Sequence, residues 1–99
     1  MIDLKPEWLV IIKDIFAKYL PNTKVVLYGS RARGTKKPYS DIDLCIMSDT
    51  PIDSRIMSQL KDAMSESYLP VRVDLTDWAD TSPSFQQIIS ADNEVLIDD

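Results

Sequence analysis

The run Val25-Val26-Leu27-Tyr28-Gly29-Ser30, followed after ten further residues by Asp41-Ile42-Asp43-Leu44-Cys45-Ile46-Met47, decides the fold of this chain. Residues 24–28 are short, apolar and β-branched, which predicts a buried strand rather than a helix. Gly29 ends it. Residues 30–34 are expected to open a short helix, with Ser30 capping its first amides. Residues 35–40, which contain Lys36-Lys37-Pro38, read as a loop. Residues 41–47 begin in strict alternation and fade into an apolar end, the pattern of a second strand. Side chains alternate along a strand, so Asp41 and Asp43 share a face, separated by roughly 6.5 Å.

Outward from this pair the periodicity is regular. Trp8, Ile12, Ile15, Phe16 and Tyr19 recur at three- and four-residue spacing and predict an amphipathic helix over 6–20, with Pro6 in its first turn and Pro21-Asn22 beyond its end. A further helix is expected after Thr50 as N-cap, with Pro51 as first residue and Asp53 as the capping-box acid. Ile52, Ile56, Met57, Leu60, Ala63 and Met64 form its apolar stripe, and it should close near Tyr68-Leu69-Pro70. Residues 71–76 alternate as a third strand, with Val71, Val73 and Leu75 on one face and Arg72, Asp74 and Thr76 on the other. Residues 84–90 predict a last short helix, and 94–97 an edge strand or extended tail. The order α-β-α-β-α-β-α predicts an α/β domain over residues 1–99. Its architecture should be two layers, a small mixed sheet with helices packed mainly on one face. The opposite face would then present Asp41, Asp43 and Asp74 to a ligand.

Composition limits the chemistry. The chain has 99 residues, 44% hydrophobic and 27% charged, enough for one core. It has no histidine, which excludes Ser-His-Asp and Cys-His triads and histidine-ligated zinc. Its one cysteine, Cys45, cannot pair within the chain and reads as a small core residue, in keeping with a reducing compartment. No apolar run reaches the ~18–20 residues of a membrane span, and the first residues lack the pattern of a signal peptide, so a cytoplasmic protein is expected. The net charge of −5 is split. Residues 1–37 hold eight of the basic side chains and three acidic ones, and the remainder three basic and thirteen acidic. An acidic protein with one small basic cluster is not built to grip a long nucleic acid, but it can hold a triphosphate at one spot.

The residue types point to phosphoryl chemistry. Gly29 lets backbone approach phosphate oxygens, and Ser30 adds a hydroxyl at a helix start, where anions are favoured. Arg31 and Arg33 add positive charge. Three carboxylates on one face repel, and two divalent ions would relieve that repulsion. A neighbouring strand lies ~4.8 Å away, so Asp74 completes the set if its strand is adjacent and in register. Asp77 and Asp80 are nearby alternatives for the third acid. Ser40 is a candidate for positioning the loop before Asp41. The chain has no Gly-x-x-x-x-Gly-Lys-[Ser/Thr] phosphate loop.

Gly29-Ser30, ten residues, then Asp41-Ile42-Asp43 resembles the signature of the polymerase-β-like nucleotidyltransferase superfamily. The longer strings Leu27-Tyr28-Gly29-Ser30-Arg31-Ala32-Arg33-Gly34 and Ser40-Asp41-Ile42-Asp43-Leu44 are similar to its minimal nucleotidyltransferase (MNT) branch, and Val73-Asp74-Leu75 falls where that branch has its third acid. The resemblance implies a nucleotidyltransferase fold with Asp41, Asp43 and Asp74 as catalytic metal ligands and Gly29, Ser30, Arg31, Arg33 and Ser40 around the nucleotide. It also implies two Mg²⁺ ions and ATP as substrate. It further implies a helical HEPN toxin as partner in a hetero-oligomer, silenced by transfer of AMP to a tyrosine hydroxyl. Two other functions are compatible with the residues: a non-catalytic antitoxin that covers a ribonuclease, and a transferase for an aminoglycoside-type small molecule.

Overall fold

A computed structural model describes residues 3–34 and 39–98. The expected loop over residues 35–38, with Lys36 and Lys37, lies outside the described residues. The chain runs α1 (Pro6–Tyr19), β1 (Val25–Tyr28), α2 (Ser30–Arg33), β2 (Ile42–Ile46), α3 (Ser54–Ser65), β3 (Val73–Asp77), a 3₁₀ turn (Trp78–Asp80), α4 (Pro83–Ala91) and β4 (Asn93–Ile97).

The strands form one mixed sheet in the order β3-β2-β1-β4. The β1/β2 and β1/β4 pairs are antiparallel, and β2/β3 is parallel. Parallel neighbours need a crossover, and α3 supplies it. Residues 93–97 therefore form a true fourth strand at the sheet edge, where the sequence left a choice between strand and tail.

Alternation sorts the strand residues onto two faces. Val25, Leu27, Ile42, Leu44, Ile46, Leu75 and Leu96 pack with Ile12 and Phe16 of α1 and Leu60 and Met64 of α3 in the main core. This is the helix-covered face the pattern predicted. The second face is not left bare. Val26, Tyr28 and Cys45 pack with Ile89 of α4, and Trp78 and Phe85 lie against them. The apolar Ile89 and Phe85 draw α4 onto that half of the sheet, because Val26 and Cys45 there have no polar function to keep in water.

The start of α3 departs from expectation. Thr50 is not its N-cap. Asp53 is, its Oδ1 accepting from the amides of Arg55 at 2.8 Å and Ile56 at 3.4 Å. The Asp77 carboxylate accepts from the Ile52 amide at 2.8 Å and from the Ser48 hydroxyl. That grip holds residues 48–52 outside the helix, so the first turn begins three residues late. The helix also closes at Ser65, before Tyr68-Leu69-Pro70. Ser82 caps α4, accepting from the Phe85 amide at 3.3 Å, with Pro83 in the first position.

Candidate active site

The carboxylates gather at the end of the sheet where β1 finishes and β2 and β3 begin. Asp43 pairs with Tyr28 across the antiparallel ladder and with Asp74 across the parallel one. Both carboxylates share the face carrying Tyr28, Cys45 and Thr76. Asp74 is thus the acid of β3 that stands beside Asp43. Asp77 registers with Ile46 at the far end, where it is committed to Ser48 and the Ile52 amide. Asp80 is exposed in the 3₁₀ turn. Asp41 precedes β2 and is exposed. Among the described residues, no three His, Cys, Asp or Glu side chains stand close enough together to cage a metal ion. The inner pair is Asp43 and Asp74, with Asp41 outside it.

The electrostatics fit a cation-binding set. Asp43 is half-buried, and its carboxyl is held above the usual range, first by burial and then by the negative charges of Asp74 and Asp41. Arg72 and Arg33 offset part of this. The Arg72 guanidinium stands 3.9 Å from Asp74 Oδ1, in an exposed pair worth little by itself. A divalent ion among these oxygens would relieve the repulsion that raises Asp43, so the donor chemistry suits Mg²⁺.

Gly29 makes the close approach possible. Its φ of +78° and ψ of −154° belong to a region that side-chain-bearing residues avoid. A Cβ there would lie 2.5 Å from Asp43 Oδ2. The glycine therefore leaves room for the carboxylate as well as permitting the turn. Gly29, not Ser30, is the N-cap of α2. The Gly29 carbonyl accepts from the amides of Ala32 and Arg33, both at 3.1 Å. Ser30 sits half-buried at the first position of α2, and Arg33 is exposed beyond it.

Arg31 is placed differently from what the motif suggested. It is 3% exposed. Its Nε and Nη2 donate to the Ser40 carbonyl at 3.2 and 2.9 Å, and Nη1 donates to the Asp3 carbonyl at 3.3 Å. Its guanidinium carbon lies 5.3 Å from the centre of the Trp8 ring. These contacts engage the whole guanidinium fork within the protein. Ser40, half-buried, meets it through its backbone carbonyl.

Sequence reasoning missed Tyr28. Its ring packs edge-on to Phe85 at 5.9 Å, and its hydroxyl is 2.8 Å from Thr76 Oγ1. It thus spans β2 from β1 to β3 and walls off the carboxylates from the apolar patch under α4. Burial, joined by the charges of Asp43 and Asp74, pushes its phenol above the ordinary value. Nothing in a one-dimensional pattern pairs residue 28 with residue 76. Arg72 was legible by alternation with Asp74.

The model of the family described as Polymerase beta, Nucleotidyltransferase matches residues 11–99. The chain belongs to that family. This nucleotidyltransferase is 49% identical over 88 residues to the probable protein adenylyltransferase MntA of Haemophilus influenzae, a match that covers 89% of this chain and 77% of the relative. Two solved structures share the fold. One is a toxin-antitoxin with AMP-PNP, at a TM-score of 0.76 and 24% identity, over 92% of this chain and 73% of that one. The other is the tri-AMPylated Shewanella oneidensis HEPN toxin in complex with MNT antitoxin, at a TM-score of 0.67 and 22% identity, over 92% of this chain and 70% of that one. No helix among the described residues of this nucleotidyltransferase is long and apolar enough to cross a membrane.

Proposed function

We propose that this chain is the antitoxin of a toxin-antitoxin pair and transfers AMP from ATP to a tyrosine hydroxyl of a helical HEPN-type toxin. The observation that carries the reading is the in-register Asp43–Asp74 pair beside the Gly29 turn. The relative named as a protein adenylyltransferase, and the AMPylated toxin held by an MNT antitoxin of the same fold, supply the acceptor class.

In this reading the acceptor oxygen forms a bond to the α-phosphorus of ATP while the bond from that phosphorus to the bridging oxygen breaks, releasing pyrophosphate. Asp74 takes the hydroxyl proton. Asp43 and Asp74, joined by Asp41 from outside the inner pair, would hold Mg²⁺, two ions in all, which would neutralise phosphate charge and favour an ionised acceptor. Gly29 and Ser30 receive the phosphates, Arg33 adds positive charge at the exposed edge, and Ser40 shapes the loop into Asp41. Residues 1–99 act as one domain. The acceptor's position comes from the partner's surface. We place the reaction in the cytoplasm, where ATP is available and Cys45 remains a thiol.

The test is transfer from α-labelled ATP to the partner toxin with Mg²⁺ present. Wild type should label a tyrosine, and Asp43→Asn should still bind the toxin while losing label by at least about a hundred-fold, as removal of a reacting-site group generally does. Full protection of cells by Asp43→Asn would instead assign the protein a purely covering role.

A further inference from the structure

The Arg31 guanidinium ties α2 to three other points of the chain, two near the N-terminus and one just before Asp41. It sits on α2, stacks on Trp8 of α1, donates through Nη1 to the Asp3 carbonyl and donates twice to the Ser40 carbonyl. Ser40 immediately precedes Asp41, and Asp43 follows two residues later. The two bonds at 3.2 and 2.9 Å form a fork on one oxygen, an arrangement that fixes direction as well as distance. A guanidinium this buried would be costly if it served no geometric purpose. Its charge is not the evident reason for its position, since the cations that lower Asp43 are Arg72 and Arg33.

We propose that Arg31 is a positioning residue that sets the backbone entering Asp41, and so aims the outer carboxylate of the metal-binding set, without contacting nucleotide. The inference rests on the nucleotidyl-transfer reading above. It reassigns the first arginine of Gly29-Ser30-Arg31-Ala32-Arg33 from ligand contact to scaffold. Arg33, exposed on the same short helix, is then the arginine left to meet the nucleotide. The clamp also gives the segment before α1 a function, since the Asp3 carbonyl is one of its anchor points.

The experiment compares wild type with Arg31→Lys, Arg31→Met, Trp8→Leu and Arg33→Met. Mg²⁺ binding to the protein without nucleotide is measured by calorimetry, amide exchange by mass spectrometry over residues 39–43, and label transfer as kcat and KM for ATP. Arg31→Met should weaken Mg²⁺ binding and lower kcat by roughly ten- to hundred-fold, the usual effect of losing a group that orients a metal ligand. It should speed exchange at residues 39–43 and leave KM for ATP within about two-fold, because uniform nucleotide binding is not what it removes. Arg31→Lys, which keeps the charge but not the fork, should resemble Arg31→Met. Trp8→Leu, which keeps the fork but not the stack, should fall between them and wild type. Arg33→Met should show the opposite split, with KM raised and exchange unchanged. A raised KM with unchanged kcat in the Arg31 variants would overturn the proposal, as would unaltered exchange and Mg²⁺ binding. If Arg31→Met does not fold, Arg31→Lys and Trp8→Leu carry the same comparison. If wild type transfers no label, the reading of function fails, while metal binding and exchange still decide the role of Arg31.

Discussion

At the scale of single residues, two glycines with left-handed backbone separate strain from collision. Gly29 and Gly34 have φ of +78° and +75°. A Cβ on Gly29 meets Asp43 Oδ2, whereas a Cβ on Gly34 meets nothing within 4 Å. Gly34→Ala should therefore cost the conformational penalty alone, about 1 kcal/mol, or roughly 4–8 °C in Tm. Gly29→Ala should cost about 1–3 kcal/mol more, through its more restricted backbone and the displaced carboxylate, and should abolish transfer. Thermal melts of the two variants, each with a transfer assay, check this. Melts that coincide would show that the carboxylate moves aside freely. The glycine turn and the two aspartates were readable in the sequence because spacing and alternation are local properties. Arg31 was not: an arginine near a lysine pair looks like a solvated charge, and its burial depends on Trp8 and Asp3, which reach it only after folding.

At the scale of elements, the main layer rests on α1 and α3 meeting the sheet through Ile12, Phe16, Leu60 and Met64. Leu60 is fully buried. Leu60→Ala should destabilise by about 2–5 kcal/mol, a large part of the stability of a domain this size. Tyr68→Ala just beyond α3, where the side chain is 97% exposed, should stay within about 0.5 kcal/mol. Urea denaturation distinguishes the two. The stripe on α3 was legible from its 3.6-residue period, but its starting point was not. Thr50-Pro51 is a sound local start signal, and the long-range grip of Asp77 on Ser48 and Ile52 overrides it. The parallel register of β2 and β3 settles which acid of β3 stands beside Asp43, a choice that closeness in sequence left open. The side taken by α4 was hidden for a related reason. Its apolar residues ask for a surface, and nothing local says which face of the sheet provides it.

At the scale of the whole molecule, the acidic site trades stability for function. Asp43 ionises in the ordinary carboxylate range when unfolded, and above that range in the fold. The charged form is therefore disfavoured by folding. The resulting penalty is absent at low pH, where both states are protonated, and grows as pH rises from the unfolded to the folded value, staying in full above it. Asp43→Asn should raise Tm at neutral pH without Mg²⁺, a gain kept small by solvent screening at a half-buried group, and the gain should vanish below about pH 4. Mg²⁺ should raise the Tm of wild type and have much less effect on the variant, because ligand binding to the folded state alone stabilises it. Calorimetric melts across pH, with and without Mg²⁺, measure both effects; a variant less stable than wild type at pH 7 would show that Asp43 is satisfied as it stands. Cys45, fully buried between the sheet and α4, has its thiol pushed up to about 12, first by burial and then by the charge of Asp77. Thiolate is the form that alkylating reagents attack. A fluorophore can thus be attached through a cysteine engineered at an open position such as residue 68, with the native sulfur left in place and silent.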